Sequence, residues 1–205
     1  MSERIETPSR EQIALLEPFE RLALPQIELV TSAAQAGRAL LALAGCAVLG
    51  FDTESKPTFQ RHEVSSGPHI VQLATGERAW VFQLLDAYCC EVVGQLLSSA
   101  AITKAGFGLG DDRRRIISKL GVEPAAVLDL NTVFRRNGYR RDMGVKGAVA
   151  VMFNRRFIKS RKATTSNWAN PRLSEAQLVY AANDAYAALR VYQALGDGVD
   201  AAAGS

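Results

Sequence analysis

The hydrophobic and polar positions of the chain switch repeatedly between strand-like and helix-like spacing from residue 26 onward. Short apolar runs predict strands over Gln26–Val30, Cys46–Thr53, His69–Thr75, Arg78–Leu84, Ile102–Phe107 and Val127–Leu130. Helical spacing predicts helices over Ser32–Gly45, Tyr88–Ser99, Asp111–Leu120, Asn131–Asn137, Gly144–Phe153 and Ser174–Leu195. A three-strand meander followed by alternating helices and strands indicates a layered α/β domain.

The remaining segments set the domain limits. Residues 1–26 are predicted to be an N-terminal arm, with an amphipathic stretch at Ile13, Leu15, Leu16, Phe19 and Leu22. The arm can pack on its own domain or on a neighbouring molecule, which leaves the oligomeric state open. Residues 27–196 form the predicted domain, and the small polar residues 197–205 predict a disordered tail.

The composition, with 48% hydrophobic and 22% charged residues, is typical of a soluble globular protein. The longest apolar stretch, Ala39–Phe51, has 13 residues, whereas a membrane span needs about 20. The N-terminus has charges and no apolar run typical of a secretory signal, so we expect a cytoplasmic protein without a membrane partner. The three cysteines show no metal-ligand spacing and no disulfide set, so we interpret them as small apolar residues.

Charge is distributed unevenly along the chain. Residues 1–100 hold 7 basic and 12 acidic residues, and residues 101–205 hold 17 and 9. Ten basic residues against one acid lie between Arg135 and Lys162. Such a block favours a polyanionic partner such as nucleic acid, although a solvated basic face has the same composition. Within it, Lys146, Arg155 and Arg156 are candidates for phosphate contacts.

Two carboxylates lie two residues apart at the end of the first core strand, in Phe51-Asp52-Thr53-Glu54. Side chains at i and i+2 of a strand point to the same face, so both acids project together. Like charges this close repel each other unless a cation lies between them. With 9 Asp and 12 Glu in the chain, one such triplet is expected about 0.5 times by chance. The motif therefore indicates a cation site only in combination with others.

A second motif, Tyr180-Ala-Ala-Asn-Asp184, lies in the last predicted helix. Residues at i and i+4 stand one above the other on a helix, so the phenol and the carboxylate share a face. The alanines around them predict that this helix approaches the sheet closely.

A third motif, Gly106-Phe-Gly-Leu-Gly-Asp-Asp112, opens a predicted helix. The apolar stripe of that helix contains Ile116, Ile117 and Leu120. Its phase predicts that Asp112 reaches inward, while Asp111 caps the helix or faces water.

The three motifs follow one another along the chain in the order Asp-x-Glu, Asp and Tyr-x-x-x-Asp. With this order the chain resembles the 3′–5′ exonucleases with four catalytic acids and a tyrosine, which include ribonuclease D and the Werner-helicase exonuclease domain. The resemblance spans about residues 49–195 and is most specific in Gly50–Glu54, Gly106–Asp112 and Ser166–Asp184. Val179 stands where the sister subclass has a histidine, so the chain resembles the tyrosine subclass. Arg114 departs from the aromatic residue that is frequent in the Werner-type branch. The printed sequence also ends where ribonuclease D continues into a helical domain, and both differences leave the substrate type open.

The resemblance implies a ribonuclease H-like three-layer α/β fold, with a mixed central sheet flanked by helices. It implies five catalytic residues, Asp52, Glu54, Asp112, Tyr180 and Asp184, and two divalent cations, Mg²⁺ or Mn²⁺. Asp52, Glu54 and Asp184 would bind one ion, and Asp52 with Asp112, through water, the second. Two such ions stabilise the attacking and leaving oxygens of a phosphoryl displacement, and Tyr180 would position the attacking water.

Four residues near these motifs are weaker candidates for substrate contacts: Lys56, Phe107, Asn167 and Trp168. Trp168 is either a platform for a nucleic-acid base or a core residue. His62 and His69 have no ligand partner at metal-binding spacing, so we interpret both as ordinary loop or strand residues.

The expected activity is metal-dependent hydrolysis of the terminal phosphodiester bond of a nucleic acid with a free 3′ end, releasing nucleoside 5′-monophosphates. DNA is slightly favoured because of the Werner-type resemblance. One alternative is a ribonuclease that trims RNA 3′ ends or degrades oligoribonucleotides. Another is a nucleic-acid-binding module without catalysis, against which the complete acid set argues.

Overall fold

The computed structural model describes residues 5–57, 67–139 and 141–196. Within these residues, six strands form one mixed sheet: β1 (Ile27–Val30), β2 (Val48–Glu54), β3 (Ile70–Ala74), β4 (Ala79–Gln83), β5 (Thr103–Gly106) and β6 (Val127–Asp129). Their order across the sheet is β1-β4-β3-β2-β5-β6. Each lies where an apolar run predicts a strand.

The strand directions explain why the sheet is mixed. β3 pairs antiparallel with β2 and β4, and this is the predicted meander. The pairs β1 with β4, β2 with β5 and β5 with β6 are parallel. β2 pairs with β5 only from Val48 to Gly50. The end of β2, where the Asp-x-Glu motif lies, extends beyond this pairing.

Helices cover both faces of the sheet. The described helices are α1 (Arg10–Ala14), α2 (Ala33–Leu43), α3 (Ala87–Ser98), α4 (Asp112–Leu120), α5 (Leu130–Arg136), α6 (Gly144–Phe153), α7 (Arg161–Thr164) and α8 (Glu175–Leu195). Helices α2, α3 and α4 enclose one hydrophobic core, and α5, α6 and α8 enclose a second core on the opposite face. The predicted three-layer fold is confirmed. Across the described residues, no helix combines the length and apolar character that crossing a membrane requires.

Helix α8 lies against the sheet along most of its length. A capping box at Ser174 and Gln177 starts it, and its inner face is built from buried alanines, among them Ala181 and Ala185. Gly50 of β2 lies beneath this face and offers no side chain to separate helix and strand. The close approach predicted from the alanines is confirmed.

The N-terminal arm packs on its own domain. Phe19 is buried against Phe153 and Tyr186, at ring-centroid distances of 5.2 and 6.3 Å. The backbone N–H of Leu22 donates to Oδ1 of Asn183 at 2.8 Å, and Nδ2 of Asn183 donates to the Leu22 carbonyl at 3.1 Å. The arm is thus bonded to the helix that carries the Tyr-x-x-x-Asp motif.

Two short helices, α1 and α7, were missed by the sequence patterns because one turn of helix leaves no periodicity to detect. The predicted inward position of Ile117 is wrong, since this side chain is 36% exposed. The buried stripe of α4 instead follows every fourth residue through Ile116, which brings Asp112 inward on the same face. The predicted disordered tail, His62 and most of the loop after β2 lie outside the described residues.

Candidate active site

Three carboxylates converge where β2 meets α8. Asp52 and Glu54 extend from one face of the end of β2, and Asp184 approaches from α8, so that one oxygen of each lies within 4.8 Å of the others. Asp184 is buried, and the other two are half-buried. Local spacing in the sequence predicts that Asp52 and Glu54 lie together on β2. The packing of α8 against the sheet then brings Asp184 to them.

The cluster resists ionisation without a cation. Burial, and then the neighbouring Asp184, raise the pKa of Asp52 to about 8. Burial, and then Asp52, raise the pKa of Glu54 to about 9. Burial also raises the pKa of Asp184, against the opposing effects of Lys159 and Tyr180. Three oxygen donors that repel one another in this way fit a hard divalent cation such as Mg²⁺ or Mn²⁺.

Lys159 is the cation that the structure places against these acids. Its Nζ lies 2.8 Å from Oδ2 of Asp184 and 5.1 Å from the ring centre of Tyr180. Burial alone would lower the pKa of Lys159, but the Asp184 carboxylate and Tyr180 outweigh burial and raise it. Sequence reasoning placed Lys159 only within the basic block, because nothing in its local pattern points to Asp184.

Tyr180 lies one helical turn before Asp184 and is buried beside Trp168, with ring centroids 5.9 Å apart. Its hydroxyl accepts a hydrogen bond from Oγ1 of Thr164 at 3.3 Å. Burial, followed by the charges of Asp184 and Glu54, raises the pKa of Tyr180 above its ordinary value. The phenol therefore stays protonated and can donate a hydrogen bond, but it cannot act as a base at neutral pH.

The fourth acid, Asp112, lies outside the three-carboxylate cluster. It begins α4 and accepts a hydrogen bond from Oγ1 of Thr53 at 2.6 Å. Burial raises its pKa, and the bond from Thr53 opposes that rise. Thr53 stands between Asp52 and Glu54 and was not predicted as a site residue. Ligation by Asp112 through water, as the resemblance implies, stays a prediction.

The loop before Asp112 has its own support. Asp129, the last residue of β6, accepts hydrogen bonds from the backbone N–H groups of Gly108 and Leu109 at 3.2 and 3.1 Å. The same carboxylate caps α5 through the N–H of Asn131 at 2.9 Å. Asp129 was also missed, since an N-cap aspartate is common in sequence.

A cleft of about 360 Å³ opens beside the acids. Asp52, Asp184, Lys159 and Phe107 line it, together with the start of α6. A second, more basic cleft of about 600 Å³ is lined by Lys146, Lys159, Lys162, Thr164 and Thr165. Because Lys159 lines both, the two clefts adjoin at this residue, and we name the second one the lysine groove.

One predicted substrate contact, Trp168, is wrong, and another, Arg156, has a structural partner. Trp168 is 1% exposed, so its ring has no open face for a base, and the core alternative holds. Nη1 of Arg156 donates to the Ala14 carbonyl oxygen at 2.7 Å, and its backbone pairs with Glu17 and Phe19. Arg156 therefore holds the N-terminal arm, and its contact with a phosphate stays a prediction.

The other predicted contacts are accessible to different degrees. Phe107 and Lys146 line the two clefts. Asn167 is exposed, and its Oδ1 accepts from the N–H of Ala169 in a turn. Arg155 is exposed at the end of α6, and Lys56 is exposed, with its N–H bonded to Nδ1 of His69 at 3.2 Å.

The mixed sheet and the acid cluster together define a ribonuclease H-like domain of the exonuclease type. The family model described as "3′-5′ exonuclease" matches residues 27–200, and the chain belongs to that family. Exonucleases of this family use divalent metal ions, and the acid cluster is a suitable place for them.

The chain is similar in sequence to known exonucleases and in structure to a known ribonuclease. The chain is 29% identical over 153 residues to the mouse bifunctional 3′-5′ exonuclease/ATP-dependent helicase WRN, covering 73% of this chain and 11% of that protein. It is 26% identical over 163 residues to a 3′-5′ exonuclease of Arabidopsis thaliana, covering 78% and 57%. The structure of Trypanosoma brucei RNase D matches with a TM-score of 0.75 at 21% identity, covering 83% of this chain and 64% of that one. The chain thus spans between a tenth and three-fifths of the curated relatives named here.

Proposed function

We propose that this protein is a metal-dependent 3′–5′ exonuclease that hydrolyses the terminal phosphodiester bond of a nucleic acid and releases nucleoside 5′-monophosphates. The observation that carries the proposal is the convergence of Asp52, Glu54 and Asp184 within 4.8 Å at the head of an open cleft. Membership of the exonuclease family supports the same chemistry.

The residues that would hold divalent cations are the three converged carboxylates, with Asp112 serving a second ion. Bound there, Mg²⁺ or Mn²⁺ would stabilise the negative charge that develops on the reacting phosphate oxygens. Carboxylate ligands select such hard cations over softer ones.

The protein's own groups contribute orientation and charge. Tyr180, held by Thr164 and kept protonated, orients a water molecule through its hydroxyl. Lys159 forms an ion pair with Asp184 at 2.8 Å. Because Lys159 also lines both clefts, its ammonium is placed to meet a substrate phosphate.

The path of the substrate follows the two clefts. The reacting 3′ end would occupy the cleft beside the acids, and the preceding phosphates would follow the lysine groove. Lys146 and Lys162 are exposed there, as backbone-neutralising residues are in single-strand channels. A groove that contacts phosphates does not by itself select the sugar.

The deciding experiment is a time course on matched 5′-labelled DNA and RNA single strands with Mg²⁺ or Mn²⁺. We expect a ladder that shortens from the 3′ end and is absent in EDTA and in Asp52→Asn. Faster cutting of DNA would support the expectation from sequence, and faster cutting of RNA would establish the ribonuclease alternative.

The same experiment tests the non-catalytic alternative. Binding of both strands in a mobility-shift assay, with no shortening under either metal, would contradict the exonuclease and support a binding module. Lys119 is exposed on α4 and lies outside both clefts. Lys119→Gln therefore serves as a control variant that should keep its activity.

A further inference from the structure

Gln72 is a buried polar side chain whose amide has no partner. It lies in the middle of β3 with no exposed surface, and neither Nε2 nor Oε1 makes a hydrogen bond among the described residues. Burying an amide without a hydrogen-bond partner destabilises the folded state, whereas burying an apolar side chain of the same length does not. Buried polar groups without a hydrogen-bond partner are expected mainly at functional sites.

The sheet register places Gln72 directly beside the acid cluster. Val71 and Leu73 belong to the core on the α2–α4 face, so Gln72 faces α8. Its cross-strand partner on β2 is Asp52. Directly opposed residues on one face of an antiparallel pair have Cβ atoms about 4.5–5.5 Å apart. The register therefore places the Gln72 amide beside Asp52, although no bond joins the two side chains in the structure.

Apart from Asp52, the residues directly opposite Gln72 or flanking it on its own strand are apolar. Its partner on β4 is Val81, and Ile70 and Ala74 flank it on its own strand. Asp52 is an acceptor: within the described parts of the chain, its Oδ1 accepts the N–H of Thr53 at 2.9 Å. An ionised carboxylate has about four acceptor positions.

We propose that Gln72 is a positioning residue for the metal site: its amide N–H donates to Asp52 and holds that carboxylate in the orientation in which it shares a divalent cation with Glu54 and Asp184. The inference rests on the proposed function. Carboxylates that ligate metals are generally hydrogen-bonded in turn by residues outside the ligand set. The unpartnered Gln72 amide is a donor on the same face as these acids and opposite Asp52.

The test compares Gln72→Met with Gln83→Met. Gln83 lies on β4 opposite Ile70 and faces the same side, but its Nε2 already donates to the Asn170 carbonyl at 3.1 Å. Mn²⁺ alone is titrated by calorimetry, and melting temperatures are measured in EDTA. We expect Gln72→Met to weaken Mn²⁺ binding about tenfold or more and to melt at the wild-type temperature or above. Gln83→Met should melt lower and bind Mn²⁺ as wild type does.

A second readout separates positioning from general damage. Activity of Gln72→Met should recover as Mn²⁺ is raised, with the KM for the nucleic acid unchanged. Unaltered Mn²⁺ affinity in Gln72→Met, or a lower melting temperature in EDTA, would overturn the inference, and Gln72→Leu repeats the test should Met not pack. If the wild-type protein itself binds no Mn²⁺, the proposed function fails as well.

Discussion

A Cβ atom on Gly50 would lie 2.0 Å from the carbonyl oxygen of Ala185, so strand and helix touch backbone to backbone at this point. Gly50 precedes Asp52 by two residues on the same face of β2, and Ala185 follows Asp184. The contact therefore sets the separation between the two chain segments that supply the converged acids. No side chain larger than hydrogen fits between them.

Gly50→Ala should accordingly damage both stability and activity. Pushing α8 away from β2 costs about 1–3 kcal/mol, as overpacking does elsewhere. Asp184 moves with the helix, so nuclease activity should fall more than the melting temperature alone would explain. Gly37→Ala is the control, since nothing lies within 4 Å of that position in α2. It should stabilise the protein by about 0.5–1 kcal/mol. Equal activity in the two variants would contradict the role given to Gly50.

The acid cluster predicts how stability depends on pH. In the folded protein the pKa values of Asp52 and Glu54 are about 8 and about 9, against ordinary values of 3.8 and 4.5. Between these values the folded state binds more protons than the unfolded state, so stability falls as pH rises. In EDTA, the melting temperature should decline between about pH 5 and pH 9.

Two conditions should flatten that decline. Asp52→Asn removes one of the titrating groups and should melt higher than wild type at pH 8 in EDTA, although it is inactive. Saturating Mn²⁺ should have the same flattening effect because the bound ion holds the acids ionised. A wild-type melting temperature in EDTA that does not change with pH would contradict the raised pKa values of Asp52 and Glu54.

Lys159→Met tests how much this ammonium stabilises the acid cluster. Removing it leaves the three carboxylates without their neighbouring positive charge, and breaking such a pair is destabilising. We expect a melting temperature lower by about 3–6 °C in EDTA, which corresponds to about 1–2 kcal/mol. The difference should shrink in saturating Mn²⁺. Lys162→Met, in the same groove but exposed, should melt as wild type does in both conditions.

The lysine groove predicts a change in substrate affinity without a change in chemistry. Lys146→Gln and Lys162→Gln should each raise the KM for a single strand and leave kcat near its original value. Each should also reduce the slope of log affinity against log salt by about one. Lys119→Gln should leave the slope unchanged. Unchanged slopes in both groove variants would place the strand elsewhere.

Local spacing accounts for the parts of the site that the sequence predicts. Asp52 and Glu54 share a strand face and Tyr180 and Asp184 share a helix face because the geometry of each element requires it. Lys159, in the segment between α6 and α7, meets Asp184 of α8 only through the tertiary fold. No local pattern in the sequence encodes such a contact. Trp168 shows the same limit, since an indole before a helix is equally compatible with a binding surface and with the core.

The order of the elements along the chain has a consequence for biosynthesis. Asp52 and Glu54 are synthesised early, whereas Tyr180 and Asp184 lie in α8, which follows β1–β6. Helix α8 also receives the arm, through the two bonds between Asn183 and Leu22. A nascent chain on the ribosome therefore carries an incomplete acid cluster until α8 emerges. Under the proposed function, cleavage of nucleic acid therefore requires that α8 has packed against β2.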